Sequence, residues 1–317
     1  MLPVPEQHWT LEVIGPALYQ YAPDLAARYL PNYLSGAEWW GQCFSEPESG
    51  SDLAGLRCRA ADDGTGGFVV NGQKIWTSQG PTATRFLLLA RTGTPESRHR
   101  GLSTFLVDAD TPGVTVRPIA LASGRRELAE VFFDDVRVPH DRLIGDVGAG
   151  WGVVMYLMQY ERGMYGYAVL TTALTELGRL RTEMAERGAS SANRERFARI
   201  YVAVVAAQAR GATTVRALAE GRMVGPGSSI DKLLVGRAEK DINDLILDVR
   251  RDWMLTGVGA APAATSAVGA APADGKELNA ARAKWWYTRA ATIMGGSAEV
   301  QRGIIADHLL GLPKEKR

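Results

Sequence analysis

The sequence predicts a multidomain α+β protein, with a short helical lead-in over residues 1–40, an antiparallel β-barrel or sandwich over 41–148 and a four-helix bundle over 149–317. Three observations predict it. From 41 to about 145, short β-branched and aromatic runs alternate with turn residues at fairly regular spacing. From Trp151 onward the apolar residues recur with the helical period. The 317-residue length, with 46% apolar and 22% charged residues, is ample for more than one core.

Taken in order, residues 10–36 read as helical pieces punctuated by Pro16, Pro23 and Pro31, each where a helix would start or stop. Phe68-Val69-Val70, Asn71-Gly72, then Gln73-Lys74-Ile75-Trp76 predicts a hairpin, because Asn-Gly accepts the positive φ angles of a type I′ turn. Arg85 to Ala90 reads as a buried strand, and further strands fit Ser103–Val107, Val114–Pro118 and Ala129–Phe133. One helix is expected from Trp151 to about Arg187. A second spans Arg194–Met223, with Phe197, Ile200, Tyr201, Val204 and Val205 on one stripe. Gly225-Pro226-Gly227 interrupts the pattern, and Ser228 or Ser229 can cap a third helix carrying Leu234, Ala238, Ile242, Leu245, Val249 and Trp253. Residues 257–275, almost all Ala, Gly and Pro, read as an exposed loop. A last helix follows Ser297 and is expected to bury Val300, Ile304, Ile305 and Leu309.

Composition excludes several classes of function. Formal net charge is +1, without a long basic block, which argues against nucleic acid and acidic membrane surfaces. No apolar run reaches the ~18 residues of a membrane span, and no basic region followed by an apolar stretch marks a secretory signal. Cys43 and Cys58 lack metal or redox spacing, the four histidines are scattered, and no metal site is expected. A reducing, cytoplasmic setting fits.

The loop Gln42 to Asp52 (QCFSEPESGSD) organises the rest. It is too rich in Ser, Gly and Pro for a helix and too polar for a core. Pro47 fixes one φ, and Gly50 permits a φ that other residues resist. Ser45, Ser49, Ser51 and nearby amides offer neutral donors that suit a ligand rich in acceptors, such as an isoalloxazine edge or a diphosphate. The plainer reading of the loop alone is a solvated turn.

Four motifs in order carry more information than this loop. Phe44-Ser45-Glu46-Pro47 with Ser49-Gly50-Ser51-Asp52-Leu53, Asn71 to Ser78 (NGQKIWTS), Glu130 to Pro139 (EVFFDDVRVP), and Thr292 to Arg302 (TIMGGSAEVQR) with Leu310 to Pro313 resemble the acyl-CoA dehydrogenase family in order and spacing. The likeness runs from about residue 14 to the C-terminus. It implies a helical domain, a β-domain and a bundle that also forms a tetramer, of like chains or of sister subunits. It further implies that 1–40 is the remnant of a longer N-terminal helical domain, whose other helices would cover part of the acyl pocket. The implied partners are an acyl-CoA substrate, FAD, and an electron-transfer flavoprotein that reoxidises the flavin. The Glu38-Trp39-Trp40-Gly41-Gln42 lead-in resembles actinobacterial members acting on bulky or steroid side-chain thioesters.

Oxidising an acyl thioester at Cα–Cβ needs a base for the α-proton, donors for the charge developing on the carbonyl oxygen, and a hydride acceptor at Cβ. By resemblance, Ser45 bonds the pyrimidine edge of FAD beside the Phe44 backbone. Gly50 and Ser51 lie at the diphosphate-side turn, Trp76 backs the ring, and Thr77 and Ser78 lie near N5; on its own, Trp76 reads as a core aromatic. Ser297 and Glu299 match cofactor contacts at the last helix, where Glu299 replaces a common Gln and would repel a diphosphate. Arg187 matches an arginine reaching a neighbouring subunit's diphosphate, without the usual Phe-Gly surroundings. Many members place the base in the loop where this chain has Gly295. Others, resembling the isovaleryl and long-chain enzymes, place it on the first bundle helix in a Glu-Arg step, and Glu161-Arg162 stands there. The resemblance thus implies Glu161 as base, Arg162 orienting the site, and the Gly295 N–H facing the thioester oxygen. The large neighbours Tyr160, Met164, Tyr165 and Tyr167 suit an apolar pocket; the plainer reading of Glu161 is an exposed helix charge. Two rivals stand beside the dehydrogenase: a non-catalytic or half-site subunit that needs a sister chain to complete the flavin and acyl pockets, and a flavin oxidase or monooxygenase of the same fold.

Overall fold

The computed structural model describes residues 8–251 and 275–313. The chain divides into two compact units, one running to residue 121 and over 125–161, the other comprising 122–124 and the chain from 162 on.

In the first unit, α1 (His8–Tyr21) and α2 (Pro23–Leu34) precede one eight-stranded sheet. Its strands are β1 (Trp40–Cys43), β2 (Arg59–Asp62), β3 (Phe68–Ser78), β4 (Arg85–Arg91), β5 (Leu102–Asp108), β6 (Val114–Ile119), β7 (Leu128–Val138) and β8 (Leu143–Ile144). The sheet order is β6-β7-β3-β2-β4-β5-β8, with β1 pairing β4 off that path. Of the three prolines only Pro23 begins a helix. Pro16 and Pro31 lie inside α1 and α2, where packing outweighs the lost hydrogen bond: Val13, Ile14, Ala17 and Leu18, with Leu25, Tyr29 and Tyr33, are buried.

Two expectations about the sheet are corrected. It is mixed rather than antiparallel: β1 runs parallel to β4, Trp40 beside Arg85 through Cys43 beside Leu88, and β2 meets β4 in parallel at Arg59 and Arg91. Asn71-Gly72 is no hairpin turn either, because β3 runs straight through it. Between the pairs Val70–Val136 and Gly72–Phe133, β7 carries one extra residue and bulges. Asp135 there adopts φ 49°, locked by reciprocal bonds: Asn71 Nδ2 donates to Asp135 Oδ1 and Asp135 N donates to Asn71 Oδ1, each at 2.9 Å. Gly72 is needed for closeness, since a Cβ on it would lie 2.7 Å from Cys58 Cα. The hairpin joining β2 to β3 turns instead through Asp63–Gly67, where Asp63 N donates to Gly67 O at 3.0 Å.

Strand β4 is buried on both faces, which its unbroken apolar run Phe86–Ala90 reflects. Leu87 and Leu89 meet helix residues and Leu102 and Leu106 of β5, while Phe86, Leu88 and Ala90 join Cys43, Cys58, Phe105, Val131 and Val136. Burial pushes the Cys43 thiol up to about 12 and the Cys58 thiol up to about 11. Both thiols are therefore expected to resist a thiol-reactive disulfide reagent at mildly alkaline pH and to react only after unfolding; reaction of either in the native protein contradicts this packing.

The helix α3 (Gly150–Tyr160) ends the first unit, placing Val153, Val154 and Leu157 in the same core as α1 and α2. The chain passes into the second unit through a single π-helical turn, Glu161–Tyr165. There α4 (Gly166–Arg187), α5 (Ser191–Ala219) and α6 (Ser228–Val249) share one core built from Leu170, Leu177 and Leu180, Ile200 and Val204, and Ile242 and Leu245. Two further helices, α7 (Gly275–Tyr287) and α8 (Ala298–His308), pack on α6. Among the described residues, the buried apolar cluster is drawn from α4, α5 and α6. Tyr201, Val205 and Leu234 lie outside it, exposed. On α8 only Gln301 is buried; Val300, Ile304 and Ile305 are half-buried and Leu309 is exposed. Neither Ser228 nor Ser229 caps α6: Gly227 occupies the cap position and the Ser228 hydroxyl donates to Gly225 O at 2.8 Å. Trp253 and residues 257–274 of the expected loop lie outside the described residues, and Gly275 opens α7, which the sequence reading missed.

Candidate active-site residues

The loop after β1 is fastened to β3. Ile75 N donates to Ser45 O at 2.9 Å, so Ser45, half-buried, lies across from the residue preceding Trp76. Glu46 and Ser49 exchange backbone bonds at 3.1 Å each. Glu46 turns its carboxylate inward against the fully buried Lys74, at 2.8 Å. Gly50 and Ser51 are exposed at the loop tip. Gly50 is not among the positive-φ glycines, which corrects the expected reason for a glycine there. A Cβ on it would meet nothing within 4 Å, so the space around the loop tip is open.

Trp76 is held in an unusual way. From Lys74–Val131 to Thr77–Ala129, β3 advances three residues while β7 advances two, so β3 bulges at Ile75-Trp76. Trp76 takes φ 61°, a left-handed conformation that a bulky side chain resists, and its indole is turned out, 55% exposed. It is no core aromatic. Ser78 is also exposed. Thr77 points the other way: it is fully buried, its Oγ1 lies 3.5 Å from Cys43 Sγ, and it presents no surface to a ligand.

Glu161 and Arg162 open the π-helical turn between α3 and α4. Such one-turn π segments recur at functional sites because they re-aim one side chain within an otherwise regular helix. Gly163 and Gly166 let the turn lie close against its neighbours: Cβ atoms there would stand 2.8 Å from Thr214 Cγ2 and 3.1 Å from Val235 Cγ2. Glu161, Arg162, Met164, Tyr165 and Tyr167 are all half-buried, not a wet face. One turn earlier, the Tyr156 and Tyr160 hydroxyls meet at 3.0 Å, and burial raises the Tyr156 phenol to about 12.

In the second unit, Gly295 and Gly296 adopt φ 66° and 90° ahead of α8. A Cβ on Gly296 would lie 2.3 Å from Gln301 Nε2 and 3.8 Å from Arg162 Nη2, so the loop and Arg162, far apart in sequence, are neighbours. Gln301 is fully buried and its Nε2 donates to Gly295 O at 3.4 Å. The sequence reading missed Gln301; its signal is a lone amide one turn into an otherwise apolar helix face. Ser297 caps α8, its hydroxyl oxygen accepting from Val300 N at 3.3 Å. Glu299 is exposed and pairs with Arg302 at 3.5 Å. Arg187 closes α4, and its side chain lies outside what is described. Among the described residues, no group of three His, Cys, Asp or Glu side chains could hold a metal, and no helix is long and apolar enough to cross a membrane.

The first unit thus carries a mixed sheet with an exposed, strained tryptophan, and the second unit is helical. Residues 41–136 match the family model described as acyl-CoA dehydrogenase, middle domain. Acyl-CoA dehydrogenase IpdE1 of Mycobacterium tuberculosis is 36% identical over 320 residues, covering 98% of this chain and 76% of that protein. A solved structure described as "Tcur3481-Tcur3483 steroid ACAD G363A variant" superposes with a TM-score of 0.86 at 24% identity, over 98% of this chain and 78% of that one. Another, "PigA with FAD and proline", shares the fold with a TM-score of 0.78 at 21% identity, over 95% and 76% of the two chains. The chain belongs to the acyl-CoA dehydrogenase family and is an oxidoreductase of that class.

Proposed function

We propose that the protein is an FAD-dependent acyl-CoA dehydrogenase that converts an acyl-CoA thioester to the trans-2-enoyl-CoA and passes the electrons to an electron-transfer flavoprotein. The observation that carries the flavin part is Trp76: an aromatic kept at φ 61° and exposed beside Ser45 is costly to the isolated chain and suited to backing a ring. The residues present fit FAD in other respects as well. The open Gly50-Ser51 tip offers backbone and hydroxyl donors without crowding, and Phe44 and Ser45 lie beside β3. Ser78 is exposed near Trp76; Thr77 would have to act through its packing alone. Ser297, as a cap, marks the N-terminus of α8, whose partial positive charge favours an anionic group.

FAD, when bound, supplies the hydride acceptor. The protein supplies the base and the donors. The Glu161 carboxylate takes the α-proton. Gly295 cannot substitute for it, and at φ 66° a glutamate in that place would be strained, which is consistent with the base standing on the helix instead. With the Gly295 carbonyl engaged by Gln301, the Gly295 N–H is the backbone group suited to the thioester oxygen. Arg162, lying against Gly296, fixes that loop. In the substrate, a bulky or steroid acyl group fits the description of the relatives and the Glu38–Gln42 lead-in. Within this chain, that lead-in also builds the fold: Trp40 is buried against Tyr33 and donates to Glu38, which pairs with Arg85.

A second reading, a chain that works as one partner of an oligomer of like or sister subunits, is favoured by apolar side chains left open in the second unit: Ile293, Leu310 and Leu312 are each more than half exposed. Incubating the pure protein with a panel of linear, branched and steroid thioesters tests the proposal. Reduction of an electron-accepting dye without peroxide release supports a dehydrogenase, peroxide release supports an oxidase, and activity only after addition of a sister chain supports the partner reading.

A further inference from the structure

The most deeply buried ionic group in the first unit is not among the residues assigned to cofactor or substrate. Lys74 is fully buried on β3, two residues before Trp76. Its Nζ donates to Glu46 Oε1 at 2.8 Å and to Phe44 O at 3.1 Å. The Glu46 carboxylate accepts in addition from Cys58 N at 2.8 Å and, on its other oxygen, from Arg57 N at 2.7 Å. One carboxylate therefore ties the start of the loop to its end, with Gly50 and Ser51 between, and one ammonium ties both to the strand bearing Trp76. A buried ion pair is an expensive way to fill space, since apolar side chains of the same size often stabilise as well or better. What it does that they cannot is fix the orientation of several backbone groups at once.

We propose that Lys74 and Glu46 are a positioning pair, which presets the Phe44–Ser51 backbone against β3 so that its N–H groups are already aligned for the flavin, without either side chain touching it. The inference rests on the FAD reading above. An anchored loop binds without first having to be ordered, whereas a loop that holds the competent shape only part of the time loses affinity in proportion.

The test separates positioning from stability. Lys74→Met strands a buried carboxylate and is expected to lower both melting temperature and FAD affinity. The double variant Lys74→Met/Glu46→Gln removes the stranded charge and is expected to recover much of the melting temperature, yet to bind FAD at least about tenfold more weakly than the unsubstituted protein, the loss expected if the competent loop falls to a tenth of the population. Val136→Ala, a cavity in the sheet core that keeps both charged residues, serves as a comparison for loss of stability. Affinity is read by quenching of flavin fluorescence at a temperature where melting curves show every variant folded. An unchanged FAD dissociation constant in the double variant, or an equal loss of affinity in Val136→Ala, overturns the inference. If the unsubstituted protein binds no FAD, the cofactor reading falls and this inference falls with it; if that protein binds and the double variant binds equally well, only the positioning role is lost.

Discussion

Glu161→Gln is expected to leave thioester binding intact while turnover falls by roughly 10²–10⁴-fold, the loss typical of removing a general base. Glutamine keeps the length and most of the hydrogen-bonding capacity of the side chain, and the close approach of Gly163 and Gly166 to α5 and α6 is untouched by the substitution. Ligand-induced changes in the flavin spectrum should therefore persist at unmutated thioester concentrations while dye reduction is lost. If dye reduction is lost and the spectral response is lost with it, Glu161 is a binding or folding residue rather than the base.

Trp76 is expected to show stability and function pulling in opposite directions. A left-handed conformation costs a bulky residue roughly 1–2 kcal/mol, and an indole that is 55% exposed returns little packing in the free protein. Glycine removes the strain and adds roughly 0.5–1 kcal/mol of backbone entropy cost. Trp76→Gly should thus melt at or slightly above the temperature of the unsubstituted protein. FAD affinity should fall at least about tenfold, since an aromatic contact contributes about 0.5–1.5 kcal/mol beyond the area it covers. Trp76→Ala should lose the same affinity while keeping the strained backbone, and so melt below Trp76→Gly. Flavin titration and thermal melts of the two variants check both statements; unchanged affinity in both would mean that the exposed indole serves another surface.

The parts of this fold that were legible in the sequence are those set by local pattern. The run Arg85–Ala90 announced a buried strand, which the structure buries on both faces, and Ser297 announced the start of α8 by the cap it forms. What misled was chemistry satisfied at long range. Asn71-Gly72 carries the sequence of a tight turn, yet Asn71 bonds Asp135 and Gly72 yields to Cys58, contacts that no window of ten residues can hold. The parallel pairing of β1 with β4 likewise depends on a crossover through residues 44–84, which carries β2 and β3 on the way. At the candidate site, the motifs pointed to the loop, to Trp76 and to the Glu161-Arg162 step. They gave no hint that Thr77 faces the core, that Trp76 sits at positive φ in a bulge, or that Lys74, one charge in a strand of mixed polarity, is the buried anchor of the loop. The α8 stripe was read as core because apolar periodicity says which residues share a face but not what that face meets; here it is largely open within the unit and Gln301 is what is buried.

Oxidation of an acyl-CoA with Glu161 as base and a flavin as acceptor is tested by anaerobic mixing of the FAD-loaded protein with a thioester panel while the oxidised-flavin absorbance is followed in the unsubstituted and Glu161→Gln proteins in parallel. Rapid bleaching of that absorbance by at least one thioester is expected in the unsubstituted protein, with the enoyl-CoA formed in equal amount, and bleaching slowed by at least about a hundredfold in the variant. Bleaching of the variant at the unsubstituted rate would contradict Glu161 as the base.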